Sequence, residues 1–555
     1  MKKTSKRVIA ILLAVVISFS VIGMTAASVV AIVNLAEPTE LANGSTVINA
    51  DSIDEAIEIM KSNPDMFKAA DPQATAGGKD AVIYPTVIIP GISQSISYLA
   101  DENGNPAVNA NGTELSGGLL IIDDSQLVPV IANNLVAPLT KALITQSDKD
   151  GALADGVYKT VTELFAIQSS NKHGLPTHNL KTVSYQTSVA GMSQDDRDYF
   201  YRMIPMQSIT ADVGEDNLYL YAFPLIGDPM ESARGLNDYI QMVKQQKGVD
   251  KVNVVTISLG GTILTAYLEL YKNTGYPDIN RVVNVVACLD GTDVMGDFYL
   301  RQFNLDDEFF FGEFLPMVMK ETNGDASLGY LINIALKIFP KSVIYSILTA
   351  AVDGIIDTLM LNCPQFWAML PSYRYDELAR RYLSDKPVLK ARTDKFQQAR
   401  LNLNQNLLDA AADGVRINSI ACANLDLGEQ MYTYFNIVAS AEKVSSDGIV
   451  NLSSASLGAT GAPGTKTLAD IEYEKNTYCN NPEHNHISPD NVVDASTGLL
   501  PDHTFYFDGQ GHEQTARNDA IISLATRLLA TDDIKDVYSV ADFPQFSGKI
   551  GRAHV

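Results

Sequence analysis

The sequence predicts an α/β fold: a mostly parallel sheet flanked by helices, with a large helical insertion. Three observations predict it. Short β-branched runs alternate with amphipathic stretches of helical length, as in "NLYLYAFPL", "ESARGLNDYIQMVKQQKG" and "KVNVVTI". The runs have no polar face, the mark of strands covered on both sides. From about residue 298 to 410 the alternation stops, and apolar segments of helical length follow one another without a strand between them.

Taken in order, "AVIYPTVIIPG" from Ala81 reads as a buried strand closed by a Pro90-Gly91 turn. Residues 217–225 form a second strand and 231–248 an amphipathic helix with Gly248 just past its end. Residues 251–257 are a third strand, 260–275 a helix that stops at glycine, and 279–289 a fourth strand. After the insertion the sheet resumes at 414–423. "HTFYF" (503–507) is the last strand, and the helix 514–530 follows it. "LGATGAPGTKT" (457–467) has the composition of a flexible surface loop. The organisation is therefore a first core part over 81–297, a cap or lid over 298–410, a second core part over 411–530 and a tail over 531–555.

The start of the chain is a targeting segment. Lys2, Lys3, Lys6 and Arg7 precede an apolar run from Val8 to about Ala36. This is a long signal peptide or an uncleaved anchor over 1–36, and either leaves the remainder outside the cell. The expected location is extracellular, secreted or tethered to the outer face of the membrane. Residues 37–80 read as a polar spacer with one short helix at 53–61. Residues 549–555, "KIGRAHV", are what a common sequencing adapter gives when translated in frame. The natural chain is expected to depart from this sequence near Gly548, so His554 is set aside.

Composition narrows the function. The formal net charge of −24 is spread along the chain, which excludes nucleic acid as a partner and disfavours charge-driven docking on anionic lipid. Contact with a membrane is expected through the N-terminal anchor. The four cysteines, Cys288, Cys363, Cys422 and Cys479, are too widely spaced for a disulfide framework, although one bridge is open. Cys288 and Cys422 lie in apolar runs and read as buried thiols. The oligomeric state is open.

The chemistry is carried by "VVTISLGGT", Val254–Thr262. A strand ends, a serine follows, two glycines follow it and a helix begins. A nucleophile elbow needs this arrangement, because a sharp strand-to-helix turn lifts a serine hydroxyl above the sheet. Thr256 stands where the commoner pattern has glycine. A serine capping a helix would give a similar string, so the context decides. Leu259 N–H, at the start of the helix, is one candidate oxyanion donor. Ile92 N–H, after the Pro90-Gly91 turn, is the second. Ser258 then requires an acid and a histidine later in the chain. His173 and His178 precede it. Of His484, His486, His503 and His512, only His512 lies between the last strand and the last helix. Asp447 in "SSDGIV" is the preferred acid, with Asp426 in "ANLDLGE" as its rival.

The order of "FPLIGDPMESARGLNDYIQMV", "TISLGG", "CLDGTDVMGD", "FWAMLPSY", "SSDGIV" and "GQGH" resembles that of the lecithin:cholesterol acyltransferase-like lipases of the α/β-hydrolase superfamily. The resemblance covers about residues 81–530. It implies acyl-ester chemistry on lipids by a Ser258–Asp447–His512 triad. The expected activity is therefore serine carboxylic-ester hydrolysis on a small-molecule or lipid ester. Two alternatives are an acyltransferase on the same triad and a catalytically silent surface-binding protein on this fold. No cofactor is expected. "CNNPEHNHISPD" offers Cys479, His484, His486 and Asp490 at close spacing, so zinc is conceivable there. The spacing matches no strong signature, the loop reads as merely polar, and no metal is assigned.

Overall fold

The computed structural model describes residues 84–204, 209–210, 213–302, 339–426 and 444–548, with the backbone of a two-residue strand pair at Thr39–Glu40 and Thr46–Val47. The N-terminal basic and apolar segment, the short helix expected at 53–61, the first part of the apolar insertion and the 549–555 tail lie outside the described residues.

Among the described residues seven strands form one sheet: β1 Thr86–Ile89, β2 Leu218–Leu220, β3 Val252–Ile257, β4 Ile279–Val285, β5 Arg416–Ala423, β6 Thr504–Asp508 and β7 Phe546–Ser547. Their order is β2-β1-β3-β4-β5-β6-β7, and every neighbouring pair is parallel. Side chains alternate between two cores, as the period of two requires. Val87, Ile89, Val252 and Val254 enter one cluster, and Ile88, Val255, Ile257, Val283 and Val285 the other. Both faces are buried, so the runs read as continuously apolar.

On the first face lie the helices Pro229–Lys247 and Gly260–Tyr271. The former begins at Asp228, whose carboxylate accepts Met230 N–H at 2.9 Å, and ends at Gly248 with φ +65°. On the second face lies Asp519–Ala530, capped by the Asn518 side chain. The chain winds outward from β1 in both directions. The crevice beyond the C-terminal ends of β1 and β3 is thus the topological switch point, where α/β sheets bind their ligands.

Between β4 and β5, the described residues of the insertion are helical: Asp293–Leu300, Lys341–Ile355 continuing through a wide turn to Met360, Ser372–Tyr382, Pro387–Leu401 and Leu403–Ala412. Leu389, Phe396, Leu403 and Leu407 join the same core as Val87, so the last two helices form part of the layer covering the first face.

Several expectations are corrected in detail. The second strand stops at Leu220, because Phe223 N–H is taken by Ser95 Oγ at 3.2 Å and Pro224 has no N–H to give. The fourth strand stops at Val285, where Val286 turns to φ +41°. The last helix begins at Asp519, after a tight turn at His512–Arg517. Residues 457–467 are not a plain surface loop. Thr460–Gly461 pairs with Val493–Asp494, and Leu457, Ala459 and Ala462 are buried. The sequence reading offered nothing for β7. It also missed the antiparallel trio Ser97–Leu99, Ser116–Gly117 and Leu180–Thr182, and the helical pair Asp124–Thr145 and Ala152–Leu164. All four cysteines are free, and Cys288, Cys363 and Cys422 are buried.

The helix after β3 lies against the end of β1. A Cβ on Gly260 would fall 2.3 Å from the Ile89 carbonyl oxygen, a backbone atom that cannot step aside. Gly260→Ala is therefore expected to destabilise the fold by about 1–3 kcal/mol, read from the urea midpoint. An unchanged midpoint would mean that helix and strand can separate without cost.

Candidate active site

Ser258 is the first residue past β3 and has φ +49°, the left-handed region that a non-glycine residue enters only when its surroundings hold it there. The holding contacts are visible. Ser258 N–H donates to Val285 O at 3.2 Å, and Cys288 N–H donates to Ser258 O at 2.8 Å. A Cβ on Gly261 would crowd Cys288 N at 3.0 Å and Ala287 Cβ at 3.1 Å. Thr256 fits in place of glycine because it lies fully buried on the first face and donates to Asn284 Oδ1 on β4 at 2.7 Å.

His512 follows β6 and Asp447 follows β5, so adjacent strands deliver the two partners. Beyond β5, Leu425–Asp426 and Ser445–Ser446 form a short antiparallel ladder, and Asp447 comes directly after it. Asp426 is paired within that ladder, opposite Ser445. It is Asp447 whose Oδ2 lies 2.6 Å from His512 Nδ1. The other carboxylate oxygen accepts Ile449 N–H at 2.9 Å and Val450 N–H at 2.7 Å. His512 Nε2 in turn lies 2.9 Å from Ser258 Oγ.

The proton positions follow from these partners. An ionised carboxylate only accepts, so Nδ1 of His512 carries the hydrogen and Nε2 presents its lone pair to the serine hydroxyl. Asp447 is 1% exposed and His512 8%. Burial opposes a charged imidazole. The charge and hydrogen bond of Asp447, with the charge of Glu513, more than offset that, and the His512 pKa lies above its ordinary 6.5.

Leu259 opens the helix Gly260–Tyr271, whose first N–H groups have no carbonyl within the helix to bond. Ile92 lies in the turn after β1, beside Gly91, where an added Cβ would come within 3.1 Å of Ser258 Cβ. The two amides named from the sequence thus belong to segments that flank Ser258 at the switch point.

A family model described as "Alpha/beta hydrolase of unknown function (DUF915)" matches residues 227–307, the stretch that holds β3, Ser258, the elbow helix and β4. The chain has the α/β-hydrolase fold. Among solved structures, a chain of the crystal structure of the Tle4–Tli4 complex aligns over 81% of this hydrolase-fold chain and 98% of its own length. The identity is 11% and the TM-score 0.30, too loose a likeness to carry an argument. A search of curated proteins returns no match.

Sequence reasoning missed the residues that fix the acid in this hydrolase fold. They lie in "CLDGTDVMGD", a string noted for its order but given no role. Thr292 Oγ1 donates to Ile449 O, Asp293 N–H donates to Asn451 Oδ1 at 3.0 Å, and Asn451 Nδ2 donates to Asp293 Oδ2 at 2.8 Å. Asp293 is also paired with Arg374 at 3.0 Å, on the helix Ser372–Tyr382. The loop whose amides hold Asp447 is therefore tied to the start of the helix Asp293–Leu300 and, through Arg374, to the helix Ser372–Tyr382. Asn451→Ala should loosen that loop and let Asp447 slip from His512. The imidazole titration, followed by NMR, should then move down toward 6.5. An unmoved titration would show that the loop is held without Asn451.

Proposed function

We propose that this chain is an exported serine hydrolase that cleaves carboxylic esters, lipid esters among them, through an acyl-serine intermediate. One observation carries the reading: a hydrogen-bonded series from Asp447 through His512 to Ser258 Oγ, with the serine on a strained turn at the switch point.

The mechanism follows from the hydrogen bonds. Ser258 Oγ attacks the ester carbonyl carbon while its proton passes to His512 Nε2. The carbonyl oxygen takes the electron pair and becomes an oxyanion facing the Leu259 and Ile92 amides. The new imidazolium is balanced by Asp447, which keeps its own charge. Collapse of the tetrahedral intermediate re-forms the carbonyl and expels the alcohol, which takes the proton from Nε2. Water then repeats the sequence on the acyl-serine, with His512 again as base.

The lipid preference is supported by two apolar helices, one before the insertion and one within it. Asp124–Thr145 leaves Val128 and Ile144 exposed, at 70% and 78%. Lys341–Met360 packs against the helix Ala152–Leu164. The exposed apolar side chains of Asp124–Thr145 suit acyl chains better than a small polar ester. Export is supported by the basic and apolar start of the sequence.

Purified protein is expected to hydrolyse p-nitrophenyl esters, with a chain-length profile that separates lipase from esterase. Ser258→Ala should lower kcat/KM about ten-thousand-fold or more and abolish labelling by a fluorophosphonate. If neither ester turnover nor labelling occurs, the Ser258–His512–Asp447 series is catalytically silent and the reading falls. The pH profile is a second check. The base must be neutral, so kcat/KM should rise with pH through the His512 pKa, with a midpoint above 6.5.

A further inference from the structure

The loop "CNNPEHNHISPD" does not stay merely polar in three dimensions. It brings Cys479, His484 and His486 together with Asp502, and one donor atom from each lies within 4.8 Å of all the others. Asp490, the acid next in sequence, turns away to Asn424 Nδ2 at 3.0 Å and to Ser488. Asp502 arrives instead on the short turn Pro501–His503 that leads into β6.

The contacts inside this cluster suit a cation. Asp502 Oδ1 is buried and makes no hydrogen bond, yet His484 Nδ1 lies 3.1 Å from it and His486 Nε2 3.3 Å. The state of His486 can be worked out from its other side. Gln545 Nε2 donates to the carbonyls of Pro501 at 2.7 Å and Thr504 at 3.2 Å, which fixes the amide and aims its oxygen at His486 Nδ1, 2.9 Å away. Nδ1 therefore carries the hydrogen, and in the neutral ring Nε2 is a lone pair facing a carboxylate lone pair. The Tyr538 hydroxyl lies 3.4 Å from both ring nitrogens, too evenly placed to serve either one. A single proton on His486 would leave His484 Nδ1 and Cys479 Sγ, 3.6 Å from each other, still turned toward the same space.

We propose that Cys479 Sγ, His484 Nδ1, His486 Nε2 and an Asp502 carboxylate oxygen bind one structural zinc ion. The donor set is sulfur, two imidazoles and one oxygen, which suits zinc and not the oxygen-only preference of calcium or magnesium. A tetrahedral ion with ordinary zinc bond lengths requires donor separations of roughly 3.3–3.6 Å; three of the separations, 3.1, 3.3 and 3.6 Å, lie close to that range, and all lie within 4.8 Å. In such a site lone pairs converge on a common point and not on one another, which fits the close approach of both imidazoles to Asp502 Oδ1, an atom without a hydrogen bond among the described residues. Gln545 supplies the outer-shell acceptor that a ligating imidazole ordinarily has. Binding releases the Cys479 thiol proton, and the thiolate and carboxylate together balance the charge of the ion. Four protein ligands leave no open position, so the ion is structural. It clips the 479–486 loop to the start of β6, at the end of that strand opposite His512.

The test needs no substrate and is independent of the hydrolase reading. Full-length protein, desalted after exposure to zinc sulfate, should hold about one zinc per chain by atomic absorption. EDTA should lower its Tm, and zinc but not magnesium should restore it. Cobalt(II) in place of zinc should give a thiolate-to-metal charge-transfer band that Cys479→Ser abolishes. Gln545→Ala should weaken zinc binding about 10–100-fold. If the protein holds no zinc after loading, and EDTA and zinc leave its Tm unmoved, the proposal is overturned and the cluster is held by its own hydrogen bonds. A cobalt band that survives in Cys479→Ser would overturn the ligand assignment.

Discussion

The backbone at Ser258 is the constraint on which the rest of the site depends. A left-handed serine costs on the order of 1–3 kcal/mol, and the cost is met by packing that leaves the chain no other course. The helix after it lies so close to Ile89 O that position 260 has no room for a side chain. The segment just past the neighbouring strand β4 donates Cys288 N–H to the serine's own carbonyl. The turn recurs across the sheet. Val286 after β4, Asn424 after β5 and Gly509 after β6 all take positive φ as their strands end. Each strand is bent away at its C-terminal edge, and side chains from different strands can therefore meet above the sheet.

That geometry makes the charges at the site interdependent. Asp447 uses one oxygen on its own loop's amides and the other on His512. The loop amides are placed by Thr292 and Asn451, and Asn451 is held by Asp293, which Arg374 neutralises. Asp447 is thus oriented by the segment between β4 and β5, through Thr292, Asp293 and Arg374, as much as by β5. A change in the packing of the helix Ser372–Tyr382 would be felt as a change in the basicity of His512, without any contact between the two.

How much of this was legible in the sequence depends on whether the relevant physics is local. Strands β3 and β4 were readable because burial on both faces forces every position apolar, and the helix Pro229–Lys247 because Asp228, Pro229 and Gly248 mark its two ends. Ser258 and His512 could be named because the fold presents them in a fixed chain order. The acid could be narrowed only to Asp447 or Asp426, since the two differ in where a hairpin places them and not in local pattern. The strands between residues 97 and 182 are two or three residues long, too short for a period to show. The helix Asp124–Thr145 contains Pro129 and Pro138, which argue against a helix from sequence alone. Residues 457–467 misled by composition. Their small residues serve close packing, as at Gly461, where a Cβ would fall 2.7 Å from a Leu452 methyl.

The cluster at Cys479 shows the same limit from the other side. Sequence proximity offered Asp490 as the fourth donor, but a donor set is defined by where side chains converge. A strand entry brought in Asp502, 12 positions further along. β6 then has a distinct task at each end. At its start, Asp502 and the neighbouring Gln545 anchor a long loop that returns from Asp447. Past its end, the chain turns at Gly509 and presents His512 to both Asp447 and Ser258. The histidine must hold two partners at 2.6 and 2.9 Å at once, which a strand free to slide in register could not do. The Gln545 side chain, bonded to the Pro501 and Thr504 carbonyls, limits that freedom at the end of the strand far from His512.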